Sequence, residues 1–535
     1  MIQSIVINRI RMQNLYNSQF NKVTIDLAHI IKDKINSFDI EITFSQPIIS
    51  FRNHDYTWIK PNLDCIANEF SPKIIQLSNG SYIQPNSFVG IWEINTKKPN
   101  VLLWRFNPIN SKPLTTYKGE KNQKIIVQAY SKYNDLDNLA LLITNKPIEF
   151  SRSKIPFSAI AVFTDHCDFD TAKNLKLQRE FFKKNGVKTT KGFFLNHFSK
   201  REENASFKND EQELRKWKED GHELCYHSLS QSIKSEEESY NDFFSFQPPF
   251  DDTTTWIDHG YQPYNFSLFQ NNAMDKNDYE NTLYQKNIKV LWNYIDSGTA
   301  TLGVLNQLNA SHFTLLRFLE GTKDLSFIKR LQLMLKNIIF HYYGDEELIL
   351  KYKNTASNFK KFIIHKQPSY FFSFVKDIFL ISYKLIAVFL NWKTTRNKPY
   401  KLAQYAPILF KHKIAQKEFY VFQTIEMLDF KKALHPKNID SLIKEKGVFM
   451  AHTYFSVPMN YHQGKMFSDE NSIDTIVAEN FKNLGDKIKN NEIWNPTLQE
   501  VITYWSNFEK VLLDVDHQGA IFVKSKTELQ FRPAI

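Results

Sequence analysis

Two short stretches carry the residue types from which a hydrolytic centre is built. The apolar run Ala159-Ile160-Ala161-Val162-Phe163 leads into Thr164-Asp165-His166-Cys167-Asp168, and Asp220-Gly221-His222-Glu223-Leu224-Cys225-Tyr226 leads into His227-Ser228. Each puts acids and imidazoles at the end of a strand-like segment, and parallel α/β sheets bind ligands beyond their C-terminal strand ends. The spacing between the two stretches is that of a β-α-β passage, so both ends can face one pocket. Downstream, His259 lies in the polar stretch Asp258-His259-Gly260-Tyr261, and His452 ends the apolar run Val448-Phe449-Met450-Ala451. A lone histidine is more often structural than catalytic, but Asp165, His166, Asp168, His227, His259 and His452 together favour a site. Two or three of them suffice to hold a divalent metal such as zinc with one coordination position open. Such an ion makes water acidic enough to attack near neutral pH. A carboxylate then takes the proton, and a separate imidazole protonates the leaving group.

The elements that must position these groups follow from periodicity. Residues 172–185 have helical spacing and stop at Gly186; 191–197 reads as a second strand, 209–219 as a second helix and 222–226 as a third strand. This alternation predicts a parallel sheet with right-handed crossovers. Residues 248–269 mix polar and aromatic types and read as a long functional loop. The α/β pattern resumes at 444–510.

Around that core the chain divides into further segments. Residues 1–154 open with a lead-in and one helix near 26–34, then carry short β-rich runs that predict an antiparallel sandwich. Trp92 and Trp104 there are core aromatics or a sugar-stacking face, the first being the commoner case. Ser151 to Phe157 reads as the linker. Residues 155–310 form the first part of the α/β unit, 311–440 an aromatic-rich, basic helical insertion, 441–510 the remainder of the unit, and 511–535 a hairpin tail turning near Gln518-Gly519.

Composition excludes several classes. With 42% hydrophobic and 23% charged residues in 535, the chain is globular rather than disordered. The net charge of +11 is a moderate surplus, and no arginine stripe or nucleic-acid motif accompanies it. Three cysteines make no disulfide framework, so a reduced, cytoplasmic setting is expected; Cys167 and Cys225 read chiefly as small buried residues. The N-terminus lacks the pattern of a signal peptide. The segment 370–392 is apolar nearly all round but holds Lys376, Asp377 and Lys384. It packs on the α/β unit or lies in a membrane interface, peripheral at the inner membrane surface; both readings stay open, and a span is disfavoured by the charges.

Val162-Phe163-Thr164-Asp165-His166 resembles the first motif of the polysaccharide deacetylase family (NodB homology, carbohydrate esterase family 4), and Asp220-Gly221-His222-Glu223-Leu224-Cys225-Tyr226-His227-Ser228 resembles the second. The resemblance covers 158–310 and 444–510. It implies a deformed (β/α) barrel of the deacetylase type, beside the N-terminal β-sandwich and the helical insertion. It also implies a metal-dependent hydrolase that removes acetyl from an N-acetylated sugar during surface-glycan assembly. Carry-over makes Asp165 the base, His452 the acid, and His166 and His227 ligands of a divalent ion, Zn2+ by family. His259 is the candidate third ligand, with Asp168 the other choice; Asp168, Asp258 and Tyr261 are the candidate substrate contacts. This chain departs from the family in having His166 for the second aspartate and Gln231 four residues after His227. The rival readings are a carbohydrate-binding scaffold on a decayed deacetylase fold and a different hydrolase such as a glycosidase.

Overall fold

Strand Ala159–Asp165 is buried along its whole length and sits at the centre of the sheet that carries the histidines. A strand buried on both faces reads as a near-continuous apolar run, as Ala159 to Phe163 does before Thr164 and Asp165. The computed structural model describes all residues except 9, 12–15, 20, 34, 62–64, 95–96, 119–122, 132–138, 270–273 and 458–463. The strand order of the central sheet is Asp296–Thr299, Thr424–Glu426, Val448–Thr453, Ala159–Asp165, Thr190–Phe193, Glu223–His227, Thr255–Ile257, Val290–Trp292, Lys417–Phe422, Leu409–Ile414, with Ile493–Trp494 added beside Ala159. All neighbours are parallel except the hairpin Leu409–Ile414/Lys417–Phe422.

This overturns the expectation of a deacetylase-type (β/α) barrel. The sheet is a mixed half-barrel of eleven strands whose order ends on an antiparallel hairpin, and several antiparallel sheets surround it. The β-α alternation that prompted the barrel reading holds only as far as Val290–Trp292. Beyond it the chain leaves for the helical segment and re-enters as a hairpin, a connection that places its strands antiparallel. The helical insertion is correspondingly shorter than 311–440. Leu409–Ile414, Lys417–Phe422 and Thr424–Glu426 are sheet strands, with the turn at Ala415 in left-handed backbone, φ 46°. Interleaved lysines hid their period-two alternation.

Helices cover the sheet where local signals dictate. Ala172–Asn185 begins in a capping box made by Thr171 and Asn174 and ends at Gly186 in left-handed backbone, φ 66°. Phe207–Glu219 is capped by Ser206 and buries Leu214 and Trp217. Glycine is required at 192 in the strand between the two motifs, because a Cβ there would stand 2.4 Å from the Asp165 carbonyl oxygen.

The N-terminal part forms two antiparallel sheets of six and seven strands around a shared apolar core that includes Ile40, Ile42, Phe51 and Leu141. Ile2–Ile7 belongs to the six-stranded sheet, and the helix near the start is Ala28–Lys32; Lys34 lies outside the described residues. Trp92 and Trp104 are fully buried, edge to face at 5.8 Å, so neither offers a sugar-stacking surface. Ser151 to Ser153, read as a linker, are buried as well. The Arg152 guanidinium donates to the carbonyls of Phe70, His54 and Lys446 and lies 4.4 Å over the Tyr56 ring, tying the N-terminal sheets to the α/β part. The tail pairs Leu513–Val515 with Ile521–Val523, and Phe531–Pro533 with Ile148–Phe150.

Four buried histidines make the fold acid-sensitive. Burial lowers the pKa of His54, His222, His341 and His412 to about 4 each. Unfolded, an imidazole takes its proton near 6.5. Between these values the unfolded chain binds more protons than the folded one, so stability must fall as pH drops from about 6.5 towards 4. Each ring contributes at most about 3 kcal/mol across that window. The expected result is a urea midpoint that declines steadily over this range; a flat profile would mean the rings are solvated in the folded state.

Candidate metal centre

Successive side chains alternate along an extended chain, so Asp165 and His166 diverge. His166 turns into a cluster at the strand ends. Its ring centroid lies 4.6 Å from His227, 4.0 Å from His452 in a stacked arrangement, and 4.7 Å from Trp292. Asp168 sits across from them: its Oδ2 is 2.9 Å from His227 Nε2 and its Oδ1 is 2.8 Å from His259 Nε2. One donor atom from each of His166, Asp168 and His227 lies within 4.8 Å of the other two.

These donors suit a divalent cation. His166 Nε2 is buried and has no hydrogen-bond partner. His227 Nδ1 lies 3.3 Å from the Ile257 carbonyl oxygen, and its Nε2 faces the Asp168 carboxylate. A metal-ligating histidine characteristically donates its second N–H to a carbonyl in this way. Burial lowers the pKa of His166 and, against the pull of Asp168, of His227, the direction that favours the neutral imidazoles ligation requires. Burial alone would raise the Asp168 carboxyl, but His259 and His227 outweigh it and hold it well below the usual range. Two imidazoles and one carboxylate are a zinc-type donor set that leaves positions open.

The loop bearing Asp168 is held by its own backbone. The Asp168 carbonyl accepts from Arg201 Nη2 at 3.1 Å and from Asn204 Nδ2 and Gln231 Nε2 at 3.0 Å each. Gln231 thereby helps to orient the loop that bears this carboxylate. Ser228, directly after His227, sits at φ 53°; its hydroxyl donates to Asn265 at 2.7 Å and accepts from the His259 N–H at 2.9 Å. Strained backbone of this kind persists where surrounding contacts over-determine it.

His452 stands beside the cluster. Its Nδ1 lies 3.2 Å from Asp296 Oδ2, whose other oxygen accepts from the Thr424 hydroxyl, and its Nε2 is buried without a partner. Burial opposes charge on His452, but the Asp296 carboxylate outweighs it and raises the pKa. The same pairing overcomes burial to lower Asp296.

The geometry separates the sequence-derived residues. His166, His227, His259, His452 and Asp168 come together, with the Asp168 carboxylate between His227 and His259. Asp165 does not join them. Fully buried, it is bound by the Lys191 ammonium and accepts from Phe455 N at 3.0 Å and Thr453 Oγ1 at 3.3 Å. Lys191 also reaches Asp170 at 2.5 Å and Gln178 at 3.1 Å, so all three of its donors are spent. Burial, with Asp170 adding to it, raises Asp165 to about 7 against the pull of Lys191. The carboxyl is cut off from solvent and fails as a base for the reason a strand fails to point two neighbours the same way. Asp258 is equally unavailable to substrate: it is buried and accepts from Phe266 N, Ser267 N and the Trp256 indole. Tyr261 is 46% exposed and packs edge to face against Tyr117 of the N-terminal part, 5.4 Å between centroids. Cys167 and Cys225 are buried, with burial pushing their thiols well up, so neither supplies a thiolate.

Sequence reasoning missed Asp296, Trp292, Tyr454 and Lys191. Asp296 begins a strand in a run with no recognisable spacing to His452, and only sheet pairing joins them. A cavity of about 760 Å³ opens elsewhere, lined by residues such as Lys112, Lys411 and Glu509, and includes none of the cluster.

No family model matches the chain. No curated protein matches it either. Solved structures that match include three of a Glycoside Hydrolase Family 97 enzyme from Pseudoalteromonas sp. strain K8. An arginine-to-lysine variant shows 12% identity and a TM-score of 0.22, covering 51% of this chain and 50% of that one. The acarbose complex shows 11% identity and a TM-score of 0.21 over the same shares, and a panose complex 12% and 0.21. The chain thus spans about half the length of the structures it matches, at scores that leave its chemistry to be argued from its own residues.

Proposed function

We propose that this protein is a metal-dependent hydrolase that removes an acyl group, acetyl from an N-acetylated sugar. The observation that carries this reading is the convergence of His166, Asp168 and His227, with His166 Nε2 buried and unpartnered, beside an imidazole held by its own carboxylate. A divalent ion held by those three residues would supply a Lewis acid that polarises the scissile carbonyl and acidifies water. His452, whose pKa the Asp296 carboxylate raises, is the group that gives a proton to the departing amine. His259, with Nε2 on the second Asp168 oxygen and Nδ1 buried without a partner, is placed to accept the proton of the attacking water. This reassigns the base role from Asp165, whose carboxyl is committed to Lys191. Exposed Tyr261, with Tyr117 behind it, offers an aromatic flank of the kind sugar rings stack on.

The test is elemental analysis and zinc titration of the purified protein, followed by acetate release from N-acetylated oligosaccharides. Stoichiometric zinc with acetate release supports the reading. Sugar binding without metal or turnover would instead favour a carbohydrate-binding scaffold, and release of reducing sugar a glycosidase. His452→Gln is expected to lower kcat by about 10²–10⁴-fold while zinc content stays unchanged. An unaltered kcat in that variant would remove His452 as the acid.

A further inference from the structure

The chain's basic surplus is concentrated in one place. Residues 327–401 hold fourteen lysines and arginines against four acids, a surplus of ten, where the whole chain has eleven. The same segment contains two long helices, Glu346–His365 and Pro368–Leu390, that pack on each other as a hairpin. The hairpin root is anchored: Ile381 and Val388 are buried, the Tyr343 hydroxyl donates to the Lys384 carbonyl at 2.8 Å, and Lys384 pairs with Asp345 at 3.3 Å. The rest is bare. Ile364, Phe372, Phe379, Tyr383 and Leu390 are between 60 and 81% exposed, and Phe327 on the preceding helix is 79% exposed. Residues 354–376, which include the hairpin turn, carry Lys360, Lys361, Lys366 and Lys376 and no acid.

We propose that this hairpin docks on an anionic lipid bilayer surface, its exposed aromatics and aliphatics entering the interface and its lysines meeting the headgroups. Apolar area at this scale on a soluble surface needs a cover, and the charge beside it selects an anionic one. Lysine stems lie along apolar surface while their ammonium groups stay at headgroup level, which fits their mixing with Phe372 and Phe379. The helix Pro368–Leu390 is about 35 Å long at 1.5 Å per residue. Among the described residues, however, no helix is long and apolar enough to cross a membrane, which leaves the helices in the interface plane. The hairpin follows directly on the helical segment Ile338–Tyr343, which packs against its first helix. The inference uses neither metal nor turnover and stands apart from the catalytic reading.

The experiment is co-sedimentation of the full-length protein with phosphatidylcholine vesicles and with phosphatidylcholine–phosphatidylglycerol vesicles, at low and high salt. The expected result is strong binding to the anionic vesicles alone, weakened by salt. Each basic residue near an anionic surface is worth about fivefold, so neutralising Lys360, Lys361 and Lys366 to Gln should lower the partition coefficient by about a hundredfold. Phe372→Ser and Phe379→Ser should each cost at least about tenfold through lost apolar burial. Circular dichroism and an unchanged urea midpoint confirm that these exposed positions leave the fold intact. Protein remaining in the supernatant with anionic vesicles overturns the proposal, as does equal binding to neutral vesicles. An oligomer in solution that Phe372→Ser converts to monomer also overturns it, because a second copy would then be the cover.

Discussion

Asp168→Asn should abolish divalent-ion binding while leaving the fold in place. The substitution keeps side-chain volume, and the three donors to the Asp168 backbone carbonyl, from Arg201, Asn204 and Gln231, are untouched. What disappears is the negative charge between His227 and His259. Partners that merely orient metal ligands cost about 10–100-fold in affinity when removed, so loss of a charged ligand should exceed about 100-fold, with acetate release falling to background. Zinc titration calorimetry checks the first effect and acetate assay the second. Wild-type zinc affinity in Asp168→Asn would strike this carboxylate from the ligand set and leave the two imidazoles without an anion. His227→Ala should behave likewise, because it removes one of the two imidazoles of the proposed ligand set.

Lys191→Met is the second large effect, and it falls on stability. Lys191 is fully buried with its ammonium between Asp165 and Asp170, and methionine fills nearly the same volume without charge. Removing one partner of a buried ion pair leaves an uncompensated charge and costs about 3–5 kcal/mol. The urea midpoint should drop accordingly, and adding Asp165→Asn to the variant should recover part of the loss. A midpoint equal to wild type would mean that the two carboxyls do not depend on this cation. The family resemblance assigned Asp165→Asn a loss of activity with folding intact. The geometry assigns it chiefly a loss of stability, since that side chain holds together the strands of residues 165, 191 and 453 rather than facing the histidine cluster.

Acid sensitivity, the His452 proton role and the lipid-facing hairpin draw on different parts of the molecule. They can be measured separately and can fail separately. Buried histidines at 54, 222, 341 and 412 act on global stability. In the proposed mechanism His452 acts on turnover. The hairpin lysines act on location, and none of them contacts the cluster.

Much of this was legible in the residues. An unbroken apolar run at 159–163 can only be a buried strand, and a strand must end; that put His166 and His227 at strand tips. The Gly186 stop and the Thr171 start lie in local chemistry and needed no tertiary context. The charge surplus beside the apolar stretch at 370–392 is also a property of the chain alone. Three things were decided only by folding. Which of Asp165 and Asp168 faces the imidazoles depends on strand alternation followed by a loop whose path Arg201, Asn204 and Gln231 set from distant positions. Whether the sheet takes a deacetylase barrel's form depends on where the hairpin at 409–422 re-enters, a pairing across more than a hundred residues of intervening helix. The partner of His452 is Asp296 because the strand Thr424–Glu426 lies between theirs in the sheet, a contact of high sequence separation that no local pattern encodes. Residue type and period are local and survive in the sequence; the direction of a side chain relative to a distant neighbour is set by packing, and packing is a property of the whole chain.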